Sequence, residues 1–465
     1  MTQTNPSTGA ARGRDHRPAS WLAAAVLCLG LAACGGGGGS GVNSSDVGGL
    51  DIGKLPVVKL TVNDTFGTPI AGAAIEGAPS PGATDTKGAA LLVLDKPNLS
   101  STLKVSRDSF VDKSVLVTAT LGQVNEFTVV LERKTAPAGA SLGTRSGAVP
   151  QIDGTGRQLS FEIELVLVDG YAGPIENLAP ANFSLRTCRV DCVRGADTDD
   201  LAYTPLTATP EALTPVGAGV ARPYAAALLL DQSGSIHDTD PTGARLYSAK
   251  AFLGSLGTDD RALLAAFAGG AGSAFPNELQ VYGRFRDRSS ASGYFATLDA
   301  LSAQVGGNTP LYASLDSLRQ NVAADASLPT GLTRAVVLFT DGTDTACGDV
   351  AACRARRAQS IQGAKDSGMR LFTIGLSSNV DVVALGELAT QTGGAFLYAD
   401  SAEQLLPLYG SLGKLLSLSL PTYRLRWTVQ ADAAGSFKSG QTLLGRVQVT
   451  VGSGSFDVPF LVGTP

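Results

Sequence analysis

The sequence predicts a multidomain protein in which an α/β doubly wound, mostly parallel, Rossmann-like sheet sits among β-sandwich modules. Two observations predict it. Between about residues 222 and 416, continuous apolar runs such as "AAALLL", "ALLAAFA", "AVVLFT", "LFTIGL" and "AFLYA" alternate with helical stretches such as "PLYASLDSLRQNVA". Strands that are apolar on both faces and separated by helices belong to a parallel sheet covered on both sides. Outside that stretch the period falls to two, with Val, Leu and Thr alternating and Gly or Pro at the breaks, which marks short half-buried strands. A chain of 465 residues has room for several such units.

Residues 1–33 read as an export leader. Arg12, Arg14 and Arg17 precede the apolar run "WLAAAVLCLGLAAC", which is too short for a comfortable membrane span. "LAAC", Leu31 to Cys34, resembles a bacterial lipobox, and the resemblance implies that Cys34 becomes a lipidated N-terminus. An ordinary secretory signal with a chance cysteine is the alternative. Residues 34–55, opening with "GGGGGSG", suit a flexible tether. Gly36, Gly38 and Gly41 match GxGxxG, but no strand precedes them and no helix follows. Gly35 stands where an aspartate would signal inner-membrane retention, so the expected location is the outer membrane of a bacterial envelope.

With Cys28 removed and Cys34 lipidated, Cys188, Cys192, Cys347 and Cys353 remain in two close pairs. An oxidising compartment favours two local disulfides, although four cysteines allow three connectivities. A zinc site is the alternative. The long gap between the pairs and the scarcity of histidine, only His16 and His237, weigh against it.

Residues 56–133 read as a small β-sandwich. "DTFGTPIAGAAI", followed by "TDTKG", resembles carboxypeptidase-regulatory or transthyretin-like modules. The resemblance is carried by Asp64, Gly67, Pro69, Ile70, Gly72, Ala73 and Ile75, then Thr84, Asp85 and Gly88, and implies a spacer role. Residues 134–157 are a linker by composition. Gly139 to Gly143 spell GxSxG, which is set aside for want of a preceding strand, a following helix and a histidine. Residues 158–221 form a second β region, and 417–465 return to strands. The economical arrangement is one sandwich interrupted by 222–416; two independent β pieces are the alternative.

Within 222–416, "LLLDQSGSI" ends an apolar strand in Asp231, Ser233 and Ser235, which alternate along extended chain. Ligands of such folds gather beyond the C-terminal strand ends. A hard divalent cation takes carboxylate and hydroxyl oxygens together. Two further strand-end loops can complete the shell, through Thr309 in "GGNTPLY" and Asp341 in "VLFTDGTDT". A helix cap is the plain reading of Asp and Ser at a strand end.

DxSxS, then the threonine of "NTPL", then "TDG", in this order on α/β alternation, closely resembles the von Willebrand factor A domain with its metal-ion-dependent adhesion site. The match runs from Arg222 to roughly Leu416. The resemblance implies that Ser233, Ser235 and Thr309 offer hydroxyls, and that Asp231 and Asp341 hold Mg²⁺, or Mn²⁺ or Ca²⁺, directly or through water. One position stays open for an acidic side chain of a protein ligand. His237 reads as a polar loop residue, Asp344 and Asp349 as loop or cap residues, "CRARR" (Cys353 to Arg357) as a solvated helix face, and Trp427 as sandwich core.

A net charge of −5 and the lack of a basic block argue against nucleic acid as a partner. The mature chain has one histidine and no P-loop, so the usual acid–base, nucleophilic and nucleotide chemistries lack their residues. The reading is a non-catalytic, cation-dependent binding module on a lipid-anchored envelope protein. The competing readings are a structural protein whose metal only staples loops, and a regulatory subunit of a larger complex.

Overall fold

The computed structural model describes residues 49–143, 149–186, 203–205 and 209–465. The leader, Cys34 and the pair Cys188 and Cys192 lie outside the described residues. At the centre, Tyr224–Asp231 is buried at every position, as a run of Ala and Leu on both faces requires. It lies parallel to Arg261–Phe267 on one side and to Thr333–Thr340 on the other. Arg370–Leu376 and Phe396–Ala399 continue the parallel order, and Leu279–Val281 closes the opposite edge antiparallel.

Among the described residues seven α-helices flank these strands: α1 (Ile236–Thr239), α2 (Ala244–Gly254), α3 (Phe295–Leu301), α4 (Leu311–Ala324), α5 (Val350–Asp366), α6 (Val382–Thr390) and α7 (Leu405–Leu416). Side chains alternate across a strand, so Leu228, Leu230 and Leu264 meet α2, α3 and α7. Leu229, Leu263 and Val336 meet α4, α5 and α6 on the other face. Arg357, expected on a solvated face, is buried instead, with Nε 3.0 Å from a Glu387 oxygen of α6. The polar spacing of α5 conceals a second helix packed against it.

The expected linker 134–157 is corrected by the structure. Ala138–Gly143 is a wholly buried strand, antiparallel to both Phe396–Ala399 and Gln158–Val168. It carries the parallel sheet into the second β region, and one sheet of twelve strands results. Its small side chains are a steric requirement. A Cβ at Gly139 would stand 2.6 Å from Val458 and 3.0 Å from Leu167. Such a composition reads as linker because it lacks the β-branched and aromatic residues that advertise a strand.

Gln158–Val168 pairs antiparallel with Thr422–Ala431, and Phe183–Arg186 pairs with Thr442–Val451. Phe161, Phe183, Trp427, Val447 and Phe460 share one core between them. The N-terminal unit has its own core, with Val58, Leu60, Val62, Ile75, Leu103, Val105 and Val129 closed between a three-stranded and a four-stranded sheet. The Asp64 carboxylate fixes its first turn by accepting the Phe66 and Thr68 amides, each at 2.9 Å.

Candidate metal site

The candidate residues converge at the C-terminal ends of Tyr224–Asp231 and Thr333–Thr340. Parallel pairing of these neighbours places Asp231 and Asp341, the residue after the second strand, at one end of the sheet. Asp231 is fully buried. Its Oδ1 accepts the Ser233 amide at 2.7 Å, and its Oδ2 accepts the Thr340 hydroxyl at 2.6 Å. Asp341 Oδ1 accepts the Ser235 hydroxyl at 2.8 Å, Oδ2 accepts the Thr239 hydroxyl at 2.5 Å, and the Ser233 and Ser235 hydroxyls lie 3.3 Å apart.

Thr309 is buried just before α4. Its amide donates to the Thr345 hydroxyl at 2.9 Å, and its carbonyl accepts the Thr345 amide at 3.0 Å. The loop that follows Asp341 is thereby bound to the third element of the site. Asp344 strengthens the tie by accepting the Tyr312 amide at 2.8 Å. Beyond it a disulfide joins Cys347 to Cys353, with Cα atoms 5.0 Å apart, and Asp349 caps α5 through the Ala352 amide at 2.8 Å. The DxSxS loop is joined to the Thr309 loop from its other side, where Gly234 donates to the Gly307 carbonyl at 3.0 Å and Gly306 to the Gln232 carbonyl at 2.8 Å. Gly307 has φ +85°, and a Cβ there would stand 2.3 Å from the Gly269 carbonyl oxygen. Gly307 is therefore required by the close approach of the strand-end loop at Gly269.

Burial, and then the Asp341 carboxylate, push the Asp231 carboxyl up to about 6 against the opposing pull of its hydrogen bonds. Burial also raises Asp341, while the Thr239 and Ser235 hydroxyls pull it back. Like charges forced together in a dry site favour whatever neutralises them, a proton or a cation. Among the described residues no three His, Cys, Asp or Glu side chains form a metal-binding group. The candidate donors, two carboxylates with the Ser233, Ser235 and Thr309 hydroxyls, are all hard oxygens, and such a set fits a Mg²⁺-type ion better than a soft one.

His237 is exposed on α1, outside the hydrogen-bonded cluster. Five contributors go unread from sequence. Thr239 and Thr340 each hold a carboxylate oxygen. Gln232 accepts from the buried Arg245 at 2.8 Å, and Arg245 is paired with buried Asp240 at 2.8 Å. The threonine of "FTDG" was a usable signal, since a hydroxyl beside a strand-end aspartate can serve it. Nothing in "GARLYSAK" announces a buried arginine.

Residues 227–409 match the family model of the von Willebrand factor type A domain. A search of curated protein sequences found no match. Among solved structures, a von Willebrand factor type A protein from Catenulispora acidiphila aligns at 11% identity and TM-score 0.33, covering 71% of this chain and 74% of that one. The proximal thread matrix protein 1 of the mussel byssus, with a zinc-occupied MIDAS motif, aligns at 16% identity and TM-score 0.34, covering 46% of this chain and 50% of that one. Manganese-loaded TRAP protein of Plasmodium vivax aligns at 16% identity and TM-score 0.33, covering 55% and 98%. With its sheet, its helices and its strand-end loops in this order, the segment 227–409 is a von Willebrand factor type A domain.

Proposed function

We propose that this chain is a non-catalytic, divalent-cation-dependent protein-binding module. Asp231, Ser233, Ser235, Thr309 and Asp341 hold Mg²⁺, or Mn²⁺ or Ca²⁺, and an acidic side chain of a protein ligand completes the shell. The observation that carries this reading is the buried pair Asp231 and Asp341, whose raised proton affinity expresses a site short of positive charge. Where one of the two carboxylates reaches the ion only through water, the ion keeps positive character and attracts a further carboxylate. A purely structural staple is the second reading, and against it Thr345 and Asp344 already tie the loop after Asp341 to the Thr309 segment without an ion.

The test is calorimetric titration with Mg²⁺ and Mn²⁺, with circular dichroism as the folding control and ligand capture from envelope extracts compared with and without EDTA. Asp231→Ala should lose more than the roughly 10–100-fold in affinity that removing a supporting partner costs. Thr309→Ala should act in the same direction more mildly, since a hydroxyl is a neutral ligand. Equal affinity in wild type and Asp231→Ala would leave the aspartate a cap. Metal binding without EDTA-sensitive capture would favour the staple.

The module is held to the bacterial envelope, in the outer membrane, by a lipid on Cys34. Acyl chains give an otherwise detached chain its apolar burial. Cys34→Ser should leave the membrane fraction after a high-salt wash; retention there would sink the anchor.

A further inference from the structure

The N-terminal sandwich and the metal-site domain have separate apolar cores, neither of which needs the other for closure. They meet instead at a small seam on α2 and the loop before it. The Arg133 guanidinium lies 4.6 Å from the Phe110 ring of the sandwich and 5.0 Å from the Tyr247 ring of α2. Its Nη2 donates to the Thr242 carbonyl at 2.7 Å and its Nη1 to the Thr242 hydroxyl at 3.2 Å. Beside it Phe66 packs edge-on against Tyr247, with ring centroids 4.9 Å apart, and Lys250 donates to Thr68 at 2.7 Å.

Thr242 is close to the metal site along two routes. Three residues before it, Thr239 holds an Asp341 oxygen at 2.5 Å. Two residues before it, buried Asp240 accepts the Ala244 amide at 2.6 Å and pairs with Arg245, whose other nitrogen holds Gln232, the neighbour of Asp231. A fork grip on Thr242 therefore fixes the loop that positions both candidate carboxylates. Fixing that loop beforehand removes part of the ordering cost of binding an ion.

We propose that the N-terminal sandwich is a built-in positive regulator of the metal site, with Arg133 as the positioning residue that clamps the loop 239–243. This rests on the metal reading above. The coupling is reciprocal: docking of the sandwich raises metal affinity, and a bound ion tightens the dock by the same factor.

The test uses the full chain, with Mn²⁺ titrated calorimetrically and amide hydrogen exchange followed at 239–243 and 65–68. Arg133→Met keeps an apolar stem between the two rings and loses both bonds to Thr242. It should bind one Mn²⁺ about 5- to 10-fold more weakly, at the lower end of typical couplings. Exchange at 239–243 should quicken, and the slowing that Mn²⁺ causes at 65–68 in wild type should vanish. Arg133→Lys should fall between, because one ammonium replaces the fork; it carries the test if Arg133→Met does not fold. Wild-type affinity in the folded variants overturns the clamp. If wild type itself takes no Mn²⁺, the metal reading fails on that result alone. Exchange then decides the clamp, and unchanged rates at 239–243 in the variants overturn it.

Discussion

Two aspartates end buried strands in this molecule and have the same spacing to a glycine: Asp64 in "DTFG" and Asp231 in "DQSG". Each uses Oδ1 to accept the amide two residues on, from Phe66 at 2.9 Å and from Ser233 at 2.7 Å. The likeness ends there. Asp64 accepts the Thr68 amide as well and its Gly67 turns through φ +81°; burial raises its carboxyl, and the two amides, then the Lys250 and Arg133 charges, pull it back. Asp231 gives its second oxygen to the Thr340 hydroxyl, its Gly234 reaches across to Gly307, and the charge that acts on it is another carboxylate. One aspartate is a satisfied cap; the other is an anion that its surroundings do not neutralise. Local motif alone does not separate a cap from a ligand. The sign of the neighbouring charge does.

That sign has a pH signature in the metal-free protein. Burial and the neighbouring Asp341 push the folded Asp231 carboxyl up to about 6, above the ordinary 3.8 of an aspartate, so the folded state binds its proton more tightly than the unfolded state does. The contribution of Asp231 to stability is full below about pH 4 and is lost as pH rises to about 6. At 1.36 kcal/mol per pKa unit the loss is on the order of 3 kcal/mol. Asp341 and Asp64 are also raised and add with the same sign, so the effect of Asp231 is the difference between wild type and Asp231→Asn. Denaturant unfolding in EDTA from pH 4 to 7 should show wild type losing stability more steeply than the variant. With Mn²⁺ present the slope should reverse, because the ion needs the carboxylate and competes with the proton below pH 6. Parallel pH profiles for the two proteins in EDTA would mean that the Asp231 carboxyl binds its proton no more tightly in the folded state than in the unfolded one.

Much of the site was legible in the sequence because its parts are punctuated. "LLLDQSGSI" and "VLFTDG" mark strand ends by an abrupt switch from apolar to acidic residues, and parallel pairing of adjacent strands must then bring those ends together. The pairing of Cys347 with Cys353 was likewise a local matter of six residues. What stayed hidden depends on distant parts of the chain. Ala138–Gly143 is a strand because Gln158–Val168 and Phe396–Ala399 pair with it, and Val458 and Leu167 leave room only for a glycine at Gly139. Arg357 is buried because α6 supplies Glu387, and Arg245 because Asp240 and Gln232 receive it. A buried charge is defined by its partner, and pattern reading sees only one member of such a pair. The N-terminal seam was invisible for the same reason, since Arg133 looks like the polar end of a strand until Thr242 is placed opposite it.

The smallest expected effect is the most direct measure of the contrast between the two aspartates, because it applies one substitution at both. Asp64→Ala removes the acceptor of two turn amides, while the backbone bonds of that turn, Gly67 amide to Asp64 carbonyl and Asp64 amide to Thr68 carbonyl, stay in place. The expected cost is about 1 kcal/mol, the usual cost of removing a capping side chain. The burial that raises the Asp64 carboxyl offsets part of what its hydrogen bonds contribute, which keeps the cost from being larger. Metal binding should keep a stoichiometry of one ion per chain, since no candidate ligand is altered. Asp231→Ala also removes an acceptor, of the Ser233 amide and the Thr340 hydroxyl, but it relieves a buried repulsion with Asp341 as well. In EDTA at pH 7, above the value of about 6 at which Asp231 gives up its proton, that relief should cancel or exceed the lost bonds. Thermal unfolding under those conditions should therefore show a lowered midpoint for Asp64→Ala and an unchanged or raised one for Asp231→Ala. Two midpoints lowered alike would mean that both aspartates are caps and that the charge around Asp231 decides nothing.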